Sequence, residues 1–115
     1  MRSRITRALL YFPFYVLTFA LASVLWERPL LLAGCYLAMS VFMLWRWHRP
    51  SDLAYFFLAL ALGPLGEMAA VSRGAWTYAQ PAFLVPLWLP LAWGISGLFL
   101  KKTVEALTGP SDKAE

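Results

Sequence analysis

The sequence predicts an all-α polytopic membrane protein, a four-helix transmembrane bundle with both termini in the cytoplasm. Of the 115 residues, 61% are hydrophobic and 14% are charged, whereas about 25% of the residues in soluble domains are charged. The apolar residues form long uninterrupted runs and do not alternate with polar residues as in a half-exposed strand. The charged residues lie mainly in the short segments between these runs, and the basic ones are divided unequally between the two sides of the membrane.

Four apolar runs define the predicted spans, at residues 8–26, 29–45, 53–71 and 82–100. Each run is close to the roughly 17–25 residues that cross a hydrocarbon core of about 30 Å as a helix. The connections are too short to hold a second domain. We therefore expect one transmembrane domain over residues 1–107, followed by a flexible tail over residues 108–115.

The distribution of basic residues predicts the orientation. With four spans, one side of the membrane holds eight cations, which are Arg2, Arg4, Arg7, Arg46, Arg49, Lys101, Lys102 and Lys113. The other side holds only Arg28 and Arg73. The positive-inside rule then places both termini in the cytoplasm. This pattern accounts for the net charge of +4. We therefore expect the basic residues to interact with membrane lipids and not with nucleic acid.

We expect an integral protein of the inner (cytoplasmic) membrane of a bacterium or archaeon. An alternative is a cleaved signal peptide, because arginines precede the first run and Ala20-Leu21-Ala22 resembles a cleavage site. Its removal would leave three spans and disrupt the charge pattern. The length and aromatic content of the first run favour a retained span.

The polar residues of the second run and the loop after it indicate no metal or cofactor. Cys35 is the only cysteine, so neither an intrachain disulfide nor a thiolate metal cluster can form within one chain. His48, the only histidine, is flanked by basic residues. We expect a solvated interfacial side chain, with contact to a lipid phosphate as the alternative. Ser51 or Asp52 is expected to cap the third helix.

Glu67 is the most informative residue, because it is the only charge between residues 53 and 71. A charge within a span costs roughly 2.5–3.5 kcal/mol on insertion scales. Ala59 and Gly63 precede it at intervals of four, on the same helix face, and small residues allow another helix to approach closely. We therefore expect Glu67 to face protein, about 21 Å along the helix from Leu53 and hence in the outer leaflet.

Prolines predict irregular backbone near that depth. Pro64 removes a helical hydrogen bond about one turn before Glu67. Three prolines between residues 81 and 90 are incompatible with an undistorted helix. The expected consequence is an irregular outer half of the fourth span, with the carbonyls of Ala82 and Pro86 left without their helical partners.

The predicted site is a pocket in the outer leaflet. Its candidate residues are Glu67, Arg73, Trp76, Tyr78, Gln80, Trp88 and Trp93. A glutamate partly withdrawn from water can transfer a proton, Arg73 could bind an anionic headgroup, and aromatic walls suit apolar or cationic groups. In one alternative interpretation, Glu67 and Arg73 form a structural ion pair and the tryptophans mark the interface. In another, the site is part of an ion or proton path.

The segment from Gly63 to Gly94 resembles the later motif of the membrane-embedded carotenoid biosynthesis proteins, of the carotenoid hydratase and small lycopene cyclase type. The matching positions are Glu67, Gly74, Tyr78, Val85-Pro86, Pro90 and Trp93. The resemblance implies that Glu67 is an acid acting on an isoprenoid double bond. The chain differs from that family in its shorter length and in having Arg73-Gly74-Ala75-Trp76 where the family has glycine-proline-phenylalanine-glycine. It is also similar to an uncharacterised family of small four-span proteins that share Gly-Ala-Trp-x-Tyr and Pro-x-Trp-x-Pro.

Three functions remain open from the sequence. The favoured one is a small accessory or scaffold protein of the membrane. The alternative is a lipid- or isoprenoid-binding protein or enzyme, with Glu67 as proton donor and Trp76, Tyr78, Trp88 and Trp93 as walls. A second alternative is an oligomeric small-molecule transporter. A homo-oligomer or a larger membrane complex is compatible with all three.

Overall fold

The computed structural model describes residues 2–79, 81–82 and 84–109, with side chains from Arg4 onward. These residues form four α-helices and no β-strand, which confirms the all-helical prediction. The helices are α1 (Arg2–Leu25), α2 (Pro29–Arg46), α3 (Asp52–Ser72) and α4 (Leu89–Thr108).

The first three helices are long and apolar enough to cross a membrane, over Arg4–Leu25, Pro29–Arg46 and Asp52–Ser72. Many of their large apolar side chains point outward, such as Leu30 at 76% and Leu62 at 62% exposure. Water-exposed helices place polar residues on that face, so this surface is typical of helices in contact with lipid. Pro29 begins α2, where its missing N–H breaks no hydrogen bond, and α3 continues through Pro64.

The fourth helix differs from the predicted span at both ends. α4 begins at Leu89 instead of residue 82, and it extends to Thr108, past Lys101 and Lys102. Pro90 lies in the first turn of α4, where the missing N–H of a proline breaks no helical hydrogen bond. The irregular segment before it was predicted, but the Pro86 carbonyl is not free, since it accepts a hydrogen bond from the Leu89 N–H at 3.1 Å. Most of the predicted tail, residues 110–115, lies outside the described residues.

Helix α4 is the central element, because it packs against α1, α2 and α3, whereas α3 packs mainly against α4. A Cβ built on Gly94 would lie 2.6 Å from the Phe56 ring, and one on Gly97 would lie 2.5 Å from Ala59. The predicted small-residue face of α3 therefore contacts α4. The two helices are antiparallel, since Asp52 at the start of α3 contacts Lys101 and Glu67 near its end contacts Trp93.

The hydrophobic core lies on the other side of α4, where that helix meets α1 and α2. Its buried residues are Leu32, Tyr36, Met39, Met43, Ile95 and Leu98. The buried Tyr36 hydroxyl donates to the carbonyl of Thr18 at 2.5 Å, which satisfies its hydrogen-bonding requirement. The edge-to-face contact of Tyr11 with Trp47, at 5.1 Å between ring centroids, shows that α1 and α2 are antiparallel. The N-terminal end of α1, the 47–51 turn and the end of α4 thus share one end of the bundle.

Candidate functional site

Glu67 is held by two side chains that the sequence analysis placed beside it. The Tyr78 hydroxyl donates to Oε1 of Glu67, and the indole N–H of Trp93 donates to Oε2. Glu67 itself is partly buried near the end of α3, while Tyr78 lies in the connection to α4. One carboxylate therefore joins α3, the following connection and α4.

Gly63 allows Trp93 to reach this position. The ring of Trp93 occupies the space that a Cβ on Gly63 would fill. Gly63 lies one turn before Glu67 on the same face of α3. The absence of a side chain at residue 63 thus positions the indole for its hydrogen bond to Glu67.

A groove of about 610 Å³ runs between α3 and α4, from Tyr55 at one end to Glu67 at the other. Its walls are almost entirely apolar, and they include Ala59 and Leu100. At the rise of a helix, the distance from Tyr55 to Glu67 is about 18 Å, more than half the thickness of a hydrocarbon core. Trp76 lines the same groove as Glu67.

A second cleft, of about 410 Å³, shares Glu67, Trp93 and Ser96 with the groove. Trp88 and Tyr36 line it, and their rings are 6.1 Å apart in an edge-to-face arrangement. The indole nitrogen of Trp88 is buried, and it has no hydrogen-bond partner in the described part of the chain. Buried polar groups nearly always have a partner, so this N–H is a donor available to a ligand or water.

The structure thus brings together five of the predicted site residues, which are Glu67, Trp76, Tyr78, Trp88 and Trp93. Arg73 is exposed and lines neither the groove nor the cleft, and no ion pair between it and Glu67 occurs within the described ranges. In place of the ion pair with Arg73 that the alternative interpretation predicted, Glu67 accepts hydrogen bonds from Tyr78 and Trp93. Gln80 lies outside the described residues.

The sequence analysis did not predict a buried charge cluster at the opposite end of the bundle. Asp52 is fully buried and accepts hydrogen bonds from Lys101 at 2.8 Å and from Lys102 at 2.5 Å. Lys101 also contacts Glu105 at 2.6 Å. The two lysines were interpreted only as cytoplasmic charges, whereas both are buried. The sequence feature that could have indicated this cluster is an acid at the start of one helix together with two cations near the end of the helix that packs against it.

The Asp52 side chain also binds the backbone of the loop before α3. Its Oδ2 accepts the N–H of Arg49 at 2.8 Å, whereas Ser51 makes no side-chain capping bond. A carboxylate in this setting needs such partners, because a buried charge left unpaired is strongly destabilising.

No group of three or more histidine, cysteine, aspartate or glutamate side chains suited to a metal is found among the described residues. Comparison of the chain with protein-family models, with curated proteins and with solved structures gives no match. The resemblances noted in the sequence therefore stay predictions. A function can be proposed from the geometry of the groove between α3 and α4 and from the Glu67 carboxylate at its end.

Proposed function

We propose that this chain is a four-span integral protein of the bacterial or archaeal inner membrane that binds a lipid or isoprenoid near the outer surface. The ligand's apolar chain lies in the groove between α3 and α4, and its polar end lies at Glu67. The observation that carries this proposal is the position of Glu67, beside Trp76 and Trp93, at one end of an otherwise apolar groove.

The antiparallel packing of α3 and α4 supports a fourth crossing. Residues 89–100 span about 18 Å at the rise of a helix. A fourth crossing of a core of roughly 30 Å therefore needs the segment before Leu89 to supply the remaining thickness. Irregular backbone is tolerated at membrane depth when it is buried in protein, and Val85 and Pro86 are buried. An N-in/C-in orientation places the cationic end of the bundle in the cytoplasm.

The groove favours an elongated ligand whose polar end is a hydrogen-bond donor or a cation. Each Glu67 oxygen already accepts one hydrogen bond, but a carboxylate offers about four acceptor positions, which leaves room for a hydroxyl or an amine. The faces of Trp76 and Trp93 attract cations. The N–H of Trp88 could donate to an oxygen of a ligand in the adjoining cleft.

An enzymatic version of this proposal follows from the resemblance to the carotenoid biosynthesis proteins. In that version the protonated Glu67 carboxyl gives up its O–H proton to one carbon of an isoprenoid double bond, whose π electrons form the new C–H bond and leave a carbocation on the other carbon. The cation is discharged when a neighbouring carbon returns a proton to the Glu67 carboxylate, which Tyr78 and Trp93 keep oriented. The apolar walls next to Glu67 support it, because they exclude water from the reacting carbons.

A second candidate is the accessory or scaffold protein, which a different observation favours. Glu67 connects Tyr78, which lies in the connection after α3, to Trp93 of α4, and this contact stabilises the fold whether or not a ligand binds. The oligomeric transporter stays a prediction that no described contact favours.

Mass spectrometry of the lipids that copurify in mild detergent tests the proposal. We expect one lipid or isoprenoid class to be enriched over the membrane composition, and to be depleted in Glu67→Gln. Glu27→Gln is the matched control, because Glu27 is an exposed acid in the turn between α1 and α2. The unsubstituted protein and both variants could instead carry only bulk phospholipid, in equal amounts. That result would contradict ligand binding and favour the scaffold function.

A further inference from the structure

The groove between α3 and α4 and the cleft beside it meet at three residues. Glu67, Trp93 and Ser96 line both cavities. From there the groove runs about 18 Å along α3 to Tyr55, and a single leaflet is about half of a hydrocarbon core of roughly 30 Å. The groove therefore has the length for one extended lipid chain, and the cleft has the position for the head group of that lipid.

Ser96 has a hydroxyl group that its own helix does not use. Serine and threonine side chains in helices often bond to a carbonyl three or four residues earlier. In this chain the following residues do so: Thr18, Ser23, Ser40, Ser72 and Thr108. The Ser96 side chain makes no hydrogen bond within the described ranges. Its hydroxyl, which can donate and accept, is thus available to a molecule in the two cavities that it lines.

The cleft offers a head group both acceptors and donors. Each oxygen of Glu67 accepts one hydrogen bond, which leaves about two of the four acceptor positions of a carboxylate. The donors are the Ser96 hydroxyl and the indole N–H of Trp88, which has no partner in the described part of the chain. A head group that fits the cleft must therefore donate to a carboxylate and accept from neutral donors.

A hydroxyl group meets this requirement, whereas charged head groups do not. A hydroxyl has one donor and two acceptor positions, but an ammonium group has three donors and no acceptor, so it would leave the Trp88 N–H unpaired. A phosphate would place negative charge beside Glu67, and like charges at short range repel. None of the described residues that line the groove or the cleft is basic and could offset this repulsion.

We propose that the ligand is a neutral lipid alcohol with a single chain. The chain lies in the groove, and the hydroxyl lies in the cleft, where it donates to Glu67 and accepts from Ser96 or Trp88. This inference rests on the proposed function, because it names the chemical class of the ligand at the same site. It excludes the cationic ligand that Glu67 and the aromatic faces alone would allow.

Native mass spectrometry of the full chain in mild detergent, titrated with hexadecanol, hexadecylamine or hexadecyl phosphate, tests this inference. The three probes share one chain and differ only in the head group. We expect hexadecanol to bind most tightly, and Ser96→Ala to weaken its binding about fivefold, the effect of one neutral hydrogen bond. Ser23→Ala should leave hexadecanol binding unchanged. It is the matched control, because Ser23 is an exposed serine of α1 that bonds to its own helix and lines neither cavity.

Two outcomes would overturn the inference and leave the proposed function in place. Hexadecylamine or hexadecyl phosphate could bind at least as tightly as hexadecanol, or Ser96→Ala and Ser23→Ala could have the same effect on hexadecanol binding. A third outcome, in which none of the three probes binds in preference to hexadecane, would contradict the inference and the proposed function together.

Discussion

The indole of Trp93 lies where the side chain of any residue other than glycine at position 63 would begin. This contact sets how closely α4 approaches α3, and it directs the indole N–H to Glu67. The packing of two helices and the environment of the candidate carboxylate therefore depend on one glycine.

The substitution Gly63→Ala tests this relationship. The added methyl group must displace the Trp93 ring, and overpacking of this kind typically costs about 1–3 kcal/mol. We expect a lower midpoint of thermal unfolding in detergent. Gly66→Ala is the control, because Gly66 is on the same helix and a Cβ there has open space. It should leave stability unchanged or raise it by up to about 1 kcal/mol, and an equal loss in both variants would contradict the contact.

Two tryptophans near the site differ in their hydrogen bonding, which gives a matched comparison. Trp93→Phe removes a donor to a carboxylate, and such bonds contribute about 1.5–3 kcal/mol. Trp88→Phe removes an indole N–H that has no partner in the described residues, so the only loss is in packing. Unfolding measurements should show the larger destabilisation for Trp93→Phe. The reverse order would show that the Glu67 hydrogen bond does not stabilise the fold.

Removal of the Asp52 charge should be the most damaging of these changes. Asp52→Asn leaves Lys101 and Lys102 buried without their carboxylate, and breaking such a buried set costs about 3–5 kcal/mol. Glu105→Gln removes only a partly exposed partner of Lys101, for which about 0–1 kcal/mol is typical. Thermal unfolding distinguishes the two.

A compensating triple variant tests the same cluster from the other direction. Replacement of Asp52 by Leu together with Lys101→Met and Lys102→Met removes all three charges at once. Since apolar replacement of a buried ion cluster is often neutral or stabilising, this protein should be more stable than Asp52→Asn. A protein that is less stable than the single variant would contradict the electrostatic explanation.

The number of crossings is open to direct labelling. Single cysteines in a Cys35→Ala background, introduced as Glu27→Cys, Ser72→Cys and Thr108→Cys, are all at exposed positions. Four crossings predict that an impermeant maleimide labels residues 27 and 72 in intact cells, and residue 108 only after lysis. Labelling of residue 108 in intact cells would indicate three crossings.

The sequence predicted those features that local rules determine. Long apolar runs require helices, Pro29 suits a helix start, and Ala59 with Gly63 indicates a close helix contact. Glu67 was recognisable because one charge in an apolar run needs a partner. Its actual partners, Tyr78 and Trp93, were among the candidates, but their hydrogen bonds could not be assigned from spacing alone.

The start of α4 and the Asp52 cluster were not predicted, for different reasons. An apolar run does not reveal which of several prolines lies in the first turn of a helix, and here it is Pro90 and not an earlier proline. The contact between Asp52 and Lys101 joins residues 49 positions apart. Basic residues near a helix end indicate the same membrane orientation whether their side chains are solvated or buried. The pairing of Lys101 and Lys102 with Asp52 therefore becomes apparent only from the packing of α3 on α4.

The most direct test of ligand binding fills the groove without altering Glu67. Gly66 lines the groove and has open space around it, whereas Gly34 has open space on α2, away from the groove. The measurement is the amount of the enriched lipid or isoprenoid that copurifies per mole of Gly66→Phe and of Gly34→Phe. Ligand binding predicts a several-fold loss in Gly66→Phe alone, and equal ligand content in the two variants would contradict it.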